Sequence, residues 1–135
     1  MLTKSFVYFL LILLLSSVCY QVNFASSSSS SSPKLEEFKP KRFQNIGNKF
    51  VLVCIPLEGL KPFHFEWYKN GILIQQQASS SNAATYRITE TPEGESLLVI
   101  EKLSSSDSAN YSCSVSNHFG TDSQLTQLIV RGLIL

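Results

Sequence analysis

The sequence has 135 residues, of which 44% are apolar, and it carries 11 basic against 10 acidic side chains. This length suits one domain of common size, and the apolar share is enough to form a core. The near balance of charge gives no indication of a nucleic acid or a membrane surface as partner.

The first 19 residues have the features of a secretory signal peptide. Lys4 provides the positive end, residues 6–15 form an apolar run, and cleavage after Cys19 places the small residue Ser17 at the −3 position. The alternative is an anchor that stays in the membrane. We favour cleavage, because the apolar run is well short of the roughly 20 residues that a spanning helix needs.

The number of cysteines agrees with secretion. The chain has three, and an odd thiol is unusual in a secreted protein. Removal of Cys19 with the signal peptide leaves Cys54 and Cys113, an even pair that suits an oxidising compartment. The predicted location is therefore extracellular, either secreted or on the outer side of the plasma membrane.

Residues 20–32 are predicted to form a serine-rich linker, since every residue from Ser26 to Ser32 is serine. Such a run buries no apolar surface and should be a solvated spacer, with attachment of O-linked sugar as the alternative. A second irregular segment, Lys39-Pro40-Lys41-Arg42, is interpreted as a break within the first strand. A processing site and a weak heparin contact are the other interpretations of this basic cluster.

Short runs of alternating polarity follow the linker and predict strands rather than helices. Residues 33–38 are expected to form an edge strand, where a proline is tolerated. Pro56 and Gly59 indicate a loop, and Asn70-Gly71 is a strong signal for a hairpin turn. Further strands are expected at residues 50–54, 63–69, 72–74, 85–89, 97–100 and about 123–130, with a polar loop at 75–84. The predicted fold class is all-β, a two-sheet antiparallel sandwich.

The most specific motif combines two cysteines, a tryptophan and a tyrosine: Cys54, Trp67, Tyr111 and Cys113. In this spacing, and in the positions of Leu98 and Asp107, the chain resembles the immunoglobulin superfamily. The resemblance implies a domain from residue 33 to 131 with a tail at 132–135. It also implies a disulfide between the two cysteines that joins the sheets, and an ion pair between Asp107 and a basic residue, for which Arg87 is the candidate.

Finer details indicate a subtype. The short middle region and the segment Trp67-Tyr68-Lys69-Asn70-Gly71 are similar to the intermediate type, the I-set. The segments 33–38 and 116–120 resemble adhesion receptors of the Down syndrome cell adhesion molecule family. The resemblance thus implies a role in recognition but names no partner.

Four aliphatic side chains are predicted on the outer face of one sheet: Val51, Val53, Leu97 and Val99. Because Cys54 must face the core to reach Cys113, the alternation of a strand turns both valines of the first strand outward. With Leu98 inward, its two neighbours also face outward, and the family topology places the two strands side by side. Apolar patches of a few hundred Å² usually mark contact sites, so we predict a protein interface here, with self-association as one form. Ordinary strand propensity, or a covering loop, is the alternative interpretation.

Asn110-Tyr111-Ser112 is an N-glycosylation sequon. Because Tyr111 faces the core, Asn110 is expected to face solvent, where it is available for a glycan. A glycan there would make that part of the surface unavailable to a partner.

Other chemistry is not predicted. His64 and His118 are expected at the same end of the fold, but two ligands without a third form a poor metal site. The sequence has no glycine-rich phosphate loop, and no histidine adjoins Asp107. We therefore predict no enzymatic activity, no metal and no other cofactor.

Together these observations favour a binding module for cell adhesion or cell recognition, in which strand faces contact another protein or a second copy. The alternative is a soluble immune-recognition or decoy factor that binds its ligand through loops. Neither a nucleic acid nor a small-molecule substrate is predicted as partner.

Overall fold

The computed structural model describes residues 31–75 and 86–132. The predicted signal peptide, most of the serine-rich linker and most of the predicted polar loop lie outside these residues. The strands are β1 (Lys34–Leu35), β2 (Lys41–Asn45), β3 (Phe50–Cys54), β4 (Pro56–Glu58), β5 (His64–Lys69), β6 (Ile72–Leu73), β7 (Tyr86–Glu90), β8 (Ser96–Ile100), β9 (Ala109–Asn117) and β10 (Gly120–Arg131). A 3₁₀ turn, Ser105–Asp107, precedes β9.

The strands form two layers, as predicted. One layer is a five-stranded sheet with the order β2-β10-β9-β5-β6, and the other contains a three-stranded sheet with the order β3-β8-β7. A short pair, β1 with β4, lies beside them, and β2 runs parallel to β10 while the other pairs are antiparallel. The predicted fold class, an all-β immunoglobulin-like sandwich, is confirmed.

The first predicted strand is divided between sheets. β1 pairs with β4, whereas β2 pairs with β10 in the five-stranded sheet, so the segment around Pro40 carries the chain from one sheet to another. The predicted break within the first strand is confirmed.

The prediction of a loop at Pro56 is wrong, because this residue begins β4 and pairs with Leu35. A proline is tolerated there because the pair lies at a sheet edge, where a missing N–H removes no central hydrogen bond.

The core lies between the layers and is built from alternate residues of the strands. Its fully buried members include Leu52, Trp67, Leu98 and Tyr111. The Trp67 indole donates a hydrogen bond to the hydroxyl of Ser96 at 2.9 Å, which satisfies its only polar group inside the core.

The predicted disulfide between Cys54 and Cys113 is confirmed. It joins β3 to β9, one strand from each layer, with 6.2 Å between the two Cα atoms. Neither cysteine is exposed to solvent, so the bond lies in the centre of the core.

The predicted hairpin turn between β5 and β6 is also confirmed. Asn70 and Gly71 have φ angles of 49° and 78°, the left-handed conformation that such a two-residue turn requires. The backbone N–H of Asn70 donates to the carbonyl of Asn110, and the Asn70 side-chain oxygen accepts from the N–H of Asn110. The turn is therefore fastened to β9.

Candidate interaction faces

The predicted interface lies on the outer side of the three-stranded sheet. Val51 pairs in register with Val99 and Val53 with Leu97, so the four side chains are direct neighbours. Val51, Val53 and Leu97 are partly exposed. We call these three residues the aliphatic face.

Val99 differs from the prediction, because its side chain is only 5% exposed although it lies outside the main core cluster. It occupies the middle strand between Val51 and Arg87. The Arg87 side chain extends along this face to Glu101, two residues beyond Val99. We attribute the burial of Val99 to this central position between its neighbours.

A charged cluster borders the aliphatic face. The Glu101 carboxylate lies 2.6 Å from the Arg87 guanidinium and 3.2 Å from the Lys49 ammonium. The predicted ion pair between Arg87 and Asp107 is therefore wrong, since Arg87 points to the outer face while Asp107 is buried.

The residue that pairs with Asp107 is Lys69, with 3.6 Å between Nζ and Oδ1. The N–H and hydroxyl of Ser104 donate to Asp107 Oδ2 at 2.8 and 2.9 Å, and the Tyr86 hydroxyl donates to Oδ1 at 3.1 Å. Burial opposes ionisation of the carboxyl, but these hydrogen bonds and the lysine outweigh it and hold the pKa of Asp107 below its ordinary value. This arrangement stabilises the fold and leaves the carboxylate unavailable for chemistry.

Tyr111 lies next to Asp107 at the start of β9. Its hydroxyl donates to the backbone carbonyl of Asp107 at 3.0 Å, the arrangement known as a tyrosine corner. Burial, followed by the contacts with Tyr86 and Asp107, raises the pKa of Tyr111. The residue is therefore a neutral anchor for the start of β9.

These pairings predict different costs for two substitutions of basic residues. Lys69→Met should lower the free energy of unfolding by about 1–3 kcal/mol, because it leaves the buried Asp107 carboxylate without its cation. Arg87→Met should change the free energy by less than about 0.5 kcal/mol, because the pair with Glu101 is half exposed. Urea denaturation of both variants measures the difference, and a larger loss for Arg87→Met would contradict the assignment.

A second outer face, on the five-stranded sheet, was not predicted. In register across four strands, Leu125 of β10 faces Ser112, Ser112 faces Tyr68, and Tyr68 faces Leu73. Leu125 is 57% exposed and Leu73 is 44% exposed. We call these four residues the cross-sheet row. The signal that predicts it is the alternation of β10, in which Thr126 and Leu128 are buried, so that Leu125 must face outward.

At one end of this face, the Tyr68 hydroxyl donates to the Glu66 carboxylate at 2.8 Å. This hydrogen bond, more than the accompanying desolvation, raises the pKa of Tyr68.

His64 lies 3.9 Å from Glu66 and is well exposed, as is His118. Across residues 31–75 and 86–132 no group of three potential metal ligands is found.

Asn110 occupies the same outer face and is exposed, whereas Tyr111 beside it is fully buried. Asn110 pairs in register with Gln127 of β10. On β9, Asn110 lies two residues before Ser112. The predicted glycosylation residue thus lies next to the cross-sheet row.

One open groove of the described surface has two of its polar side chains already paired. This groove lies between β1 and β10 and is lined by Leu35, Asp122 and Gln124 among others. The Asp122 carboxylate accepts the N–H of Leu35 at 2.7 Å, and Gln124 accepts that of Phe38 at 3.4 Å. Within the described ranges, no buried side-chain nitrogen or oxygen lacks a hydrogen-bond partner. Asp122 and Gln124 therefore serve to fasten the chain around β1 to β10, and we look for contact surfaces on the strand faces.

No helix in the part of the chain that the structure describes is long and apolar enough to cross a membrane.

Comparison with known proteins agrees with this geometry. Human junctional adhesion molecule A is 38% identical over 79 residues, which cover 56% of this chain and 25% of that protein. The human membrane-bound isoform of pro-neuregulin-1 is 31% identical over 105 residues, which cover 78% of this chain and 16% of that protein. The chain thus spans a quarter or less of the length of these relatives.

Solved structures show the same fold. The seventh immunoglobulin domain of Dscam1, isoform 5, superposes with a TM-score of 0.64 at 19% identity, covering 76% of this chain and 99% of that one. Titin kinase with its flanking domains gives a TM-score of 0.60 at 22% identity, covering 74% of this chain and 17% of that one. A family model described as an immunoglobulin domain matches residues 32–117. The chain therefore belongs to the immunoglobulin domain family.

Proposed function

We propose that this protein is an extracellular recognition domain for cell adhesion, and that it binds a protein partner through the aliphatic face. The observation that carries the proposal is the register of β3 and β8, which brings Val51, Val53 and Leu97 together outside the core. A contiguous apolar area on a strand face is a typical protein contact site.

The relatives support this role in general terms. One relative is named an adhesion molecule and another a membrane-bound isoform, and immunoglobulin domains are typically binding modules rather than enzymes. The two cysteines joined in a disulfide also agree with an oxidising, extracellular location. Nothing in the described residues shows catalysis, and we infer that the protein is not an enzyme.

The partner that we propose is a second copy of the chain. The aliphatic face is bordered by a cluster with both signs of charge, since Lys49 and Arg87 both contact Glu101. Two copies of such a surface do not repel each other as two surfaces of one sign would. Burial of three aliphatic side chains from each copy supplies the attraction.

A single substitution tests the proposal. Val53→Lys should weaken self-association by about tenfold or more, a change of about 1.4 kcal/mol, because it places a charge in the apolar contact. Sedimentation velocity over a range of concentrations measures the association. Leu125→Lys, on the opposite face, is the matched control and should leave association unchanged. A wild-type protein that remains monomeric, or a Val53→Lys variant that associates normally, would contradict self-association through this face.

One observation favours a second candidate function, ligand binding through loops by a soluble factor. Leu60 and Phe119 are 58% and 59% exposed at one end of the sandwich. The Asn117 side chain holds their loops together, because it donates to the carbonyl of Leu60 at 2.8 Å and accepts the N–H of Phe119 at 2.8 Å. In any assay of partner binding, loss with Leu60→Ser and Phe119→Ser but not with Val53→Lys would favour this function.

A further inference from the structure

The outer face of the five-stranded sheet contains both exposed apolar residues and a glycosylation sequon. Asn110 lies two residues from Ser112, the member of the cross-sheet row contributed by β9. Since a strand rises about 3.4 Å per residue, Asn110 is about 7 Å from that row. An attachment at Asn110 would therefore start beside Leu125 and Tyr68.

The side chain of Asn110 is available for modification. It is exposed, and the hydrogen bonds of this residue found in the described part of the chain involve its backbone, including those with Asn70. The sequon meets the chemical requirement, because serine follows at the second position and the residue between them is tyrosine, not proline. Tyr111 and Cys113 hold the adjoining backbone in the core, so the site projects from a fixed strand.

We propose that Asn110 carries an N-linked oligosaccharide that covers the cross-sheet row and leaves the aliphatic face as the surface for partners. This inference rests on the extracellular location in the proposed function. A glycan is bulky and hydrophilic, so it shields apolar side chains that would otherwise be exposed in solution.

The reaction is a glycosyl transfer. The Nδ2 atom of Asn110 forms a bond with C1 of the first sugar of an oligosaccharide carried on a lipid diphosphate. The bond between C1 and the diphosphate oxygen breaks, the lipid diphosphate leaves with the electron pair, and the carboxamide loses one proton. No oxidant or reductant takes part.

The glycan also explains how a domain with two apolar faces presents one of them. Leu125 and Leu73 are large exposed hydrophobic residues on the five-stranded sheet, whereas Val51, Val53 and Leu97 are partly exposed on the other layer. The sequon lies on the face with Leu125, since Asn110 and Ser112 both belong to the outward set of β9. Coverage of this face directs a partner to the opposite one.

The first experiment measures occupancy on the full chain secreted from eukaryotic cells. The intact mass should fall on treatment with peptide N-glycosidase. Asn110→Gln and Ser112→Ala should each abolish this loss of mass, whereas Ser112→Thr, which keeps the sequon, should retain it. If the wild-type mass does not change, the inference is overturned.

The second experiment measures coverage by hydroxyl-radical footprinting with mass spectrometry. Oxidation of Leu125 should be about twofold or more slower in the glycosylated protein than in the enzyme-treated protein, because the sugar excludes the radical. Leu57 is the matched control, since it is 61% exposed against 57% for Leu125 and lies on β4, outside the five-stranded sheet. Its oxidation should not change.

The two proposals fail in different ways. Equal oxidation of Leu125 with and without the glycan would overturn the covering role even if Asn110 is occupied. Neither this result nor an unoccupied site bears on self-association through the aliphatic face, which the Val53→Lys variant tests by sedimentation.

Discussion

Replacement of both Cys54 and Cys113 by alanine should lower the free energy of unfolding by about 4 kcal/mol or leave the domain unfolded. The bond joins residues separated by 59 positions, and closing such a loop restricts the unfolded chain strongly. A small domain has a net stability of only about 5–15 kcal/mol, so this loss is a large share of it. Urea denaturation followed by tryptophan fluorescence measures the change, since Trp67 is buried in the folded state.

The control for this variant is reduction of the wild-type protein. Reduced wild-type protein should unfold at nearly the same urea concentration as the double alanine variant, apart from the small loss of packing by the two sulfur atoms. A double variant within about 1 kcal/mol of the oxidised wild type would contradict a stabilising role for the bond.

Asp107→Ala should lower the free energy of unfolding by about 3 kcal/mol, the second largest effect that we expect. The substitution removes the partner of Lys69 and leaves the Ser104 N–H and the Tyr86 hydroxyl without their acceptor. Glu93→Gln, an exposed acid in a turn, is the matched control and should be neutral.

The same carboxylate predicts a pH dependence. Since the pKa of Asp107 lies below its ordinary value of 3.8 in the folded protein, the unfolded chain takes up the proton first as the pH falls. The stability that it contributes is complete above the ordinary value and is lost as the pH falls through the lowered pKa. The difference in stability between wild type and Asp107→Asn should therefore stay constant from neutral pH down to the ordinary value and shrink as the pH falls further. A difference that stays constant below the ordinary value would contradict the assignment.

The two faces of the sandwich have separate physical roles in our proposals. On the three-stranded sheet, aliphatic side chains lie beside a balanced charged cluster, which suits contact with a second copy. On the five-stranded sheet, Asn110 lies beside the cross-sheet row, which suits shielding by sugar. The Val53→Lys and Asn110→Gln variants separate these roles, since each changes one face only.

Much of the fold follows from the sequence, because the determining features are local or covalent. The alternation around Tyr111 and Cys113 predicts which side chains enter the core, and the tryptophan and cysteine spacing predicts the family and its disulfide. Asn70-Gly71 predicts its turn because few residues adopt positive φ angles without strain. The outward direction of Val51, Val53 and Leu97 follows from the same alternation, whereas the pairing of β3 with β8 is expected from the resemblance to the family.

Ion pairs and burial that involve residues far apart in the chain could be determined only from the tertiary structure. Asp107 pairs with Lys69 rather than Arg87, because the last residue of β5 reaches the corner at which β9 begins, whereas Arg87 projects from the outer face to Glu101. Val99 is buried although the alternation of β8 turns it outward. The reason is that β8 is the central strand, so the side chains of Val51 and Arg87 flank Val99 on both sides. The cross-sheet row exists only once four strands are in register. Sequence alternation determines the side of a strand, and only the packed strands determine which side chains meet there.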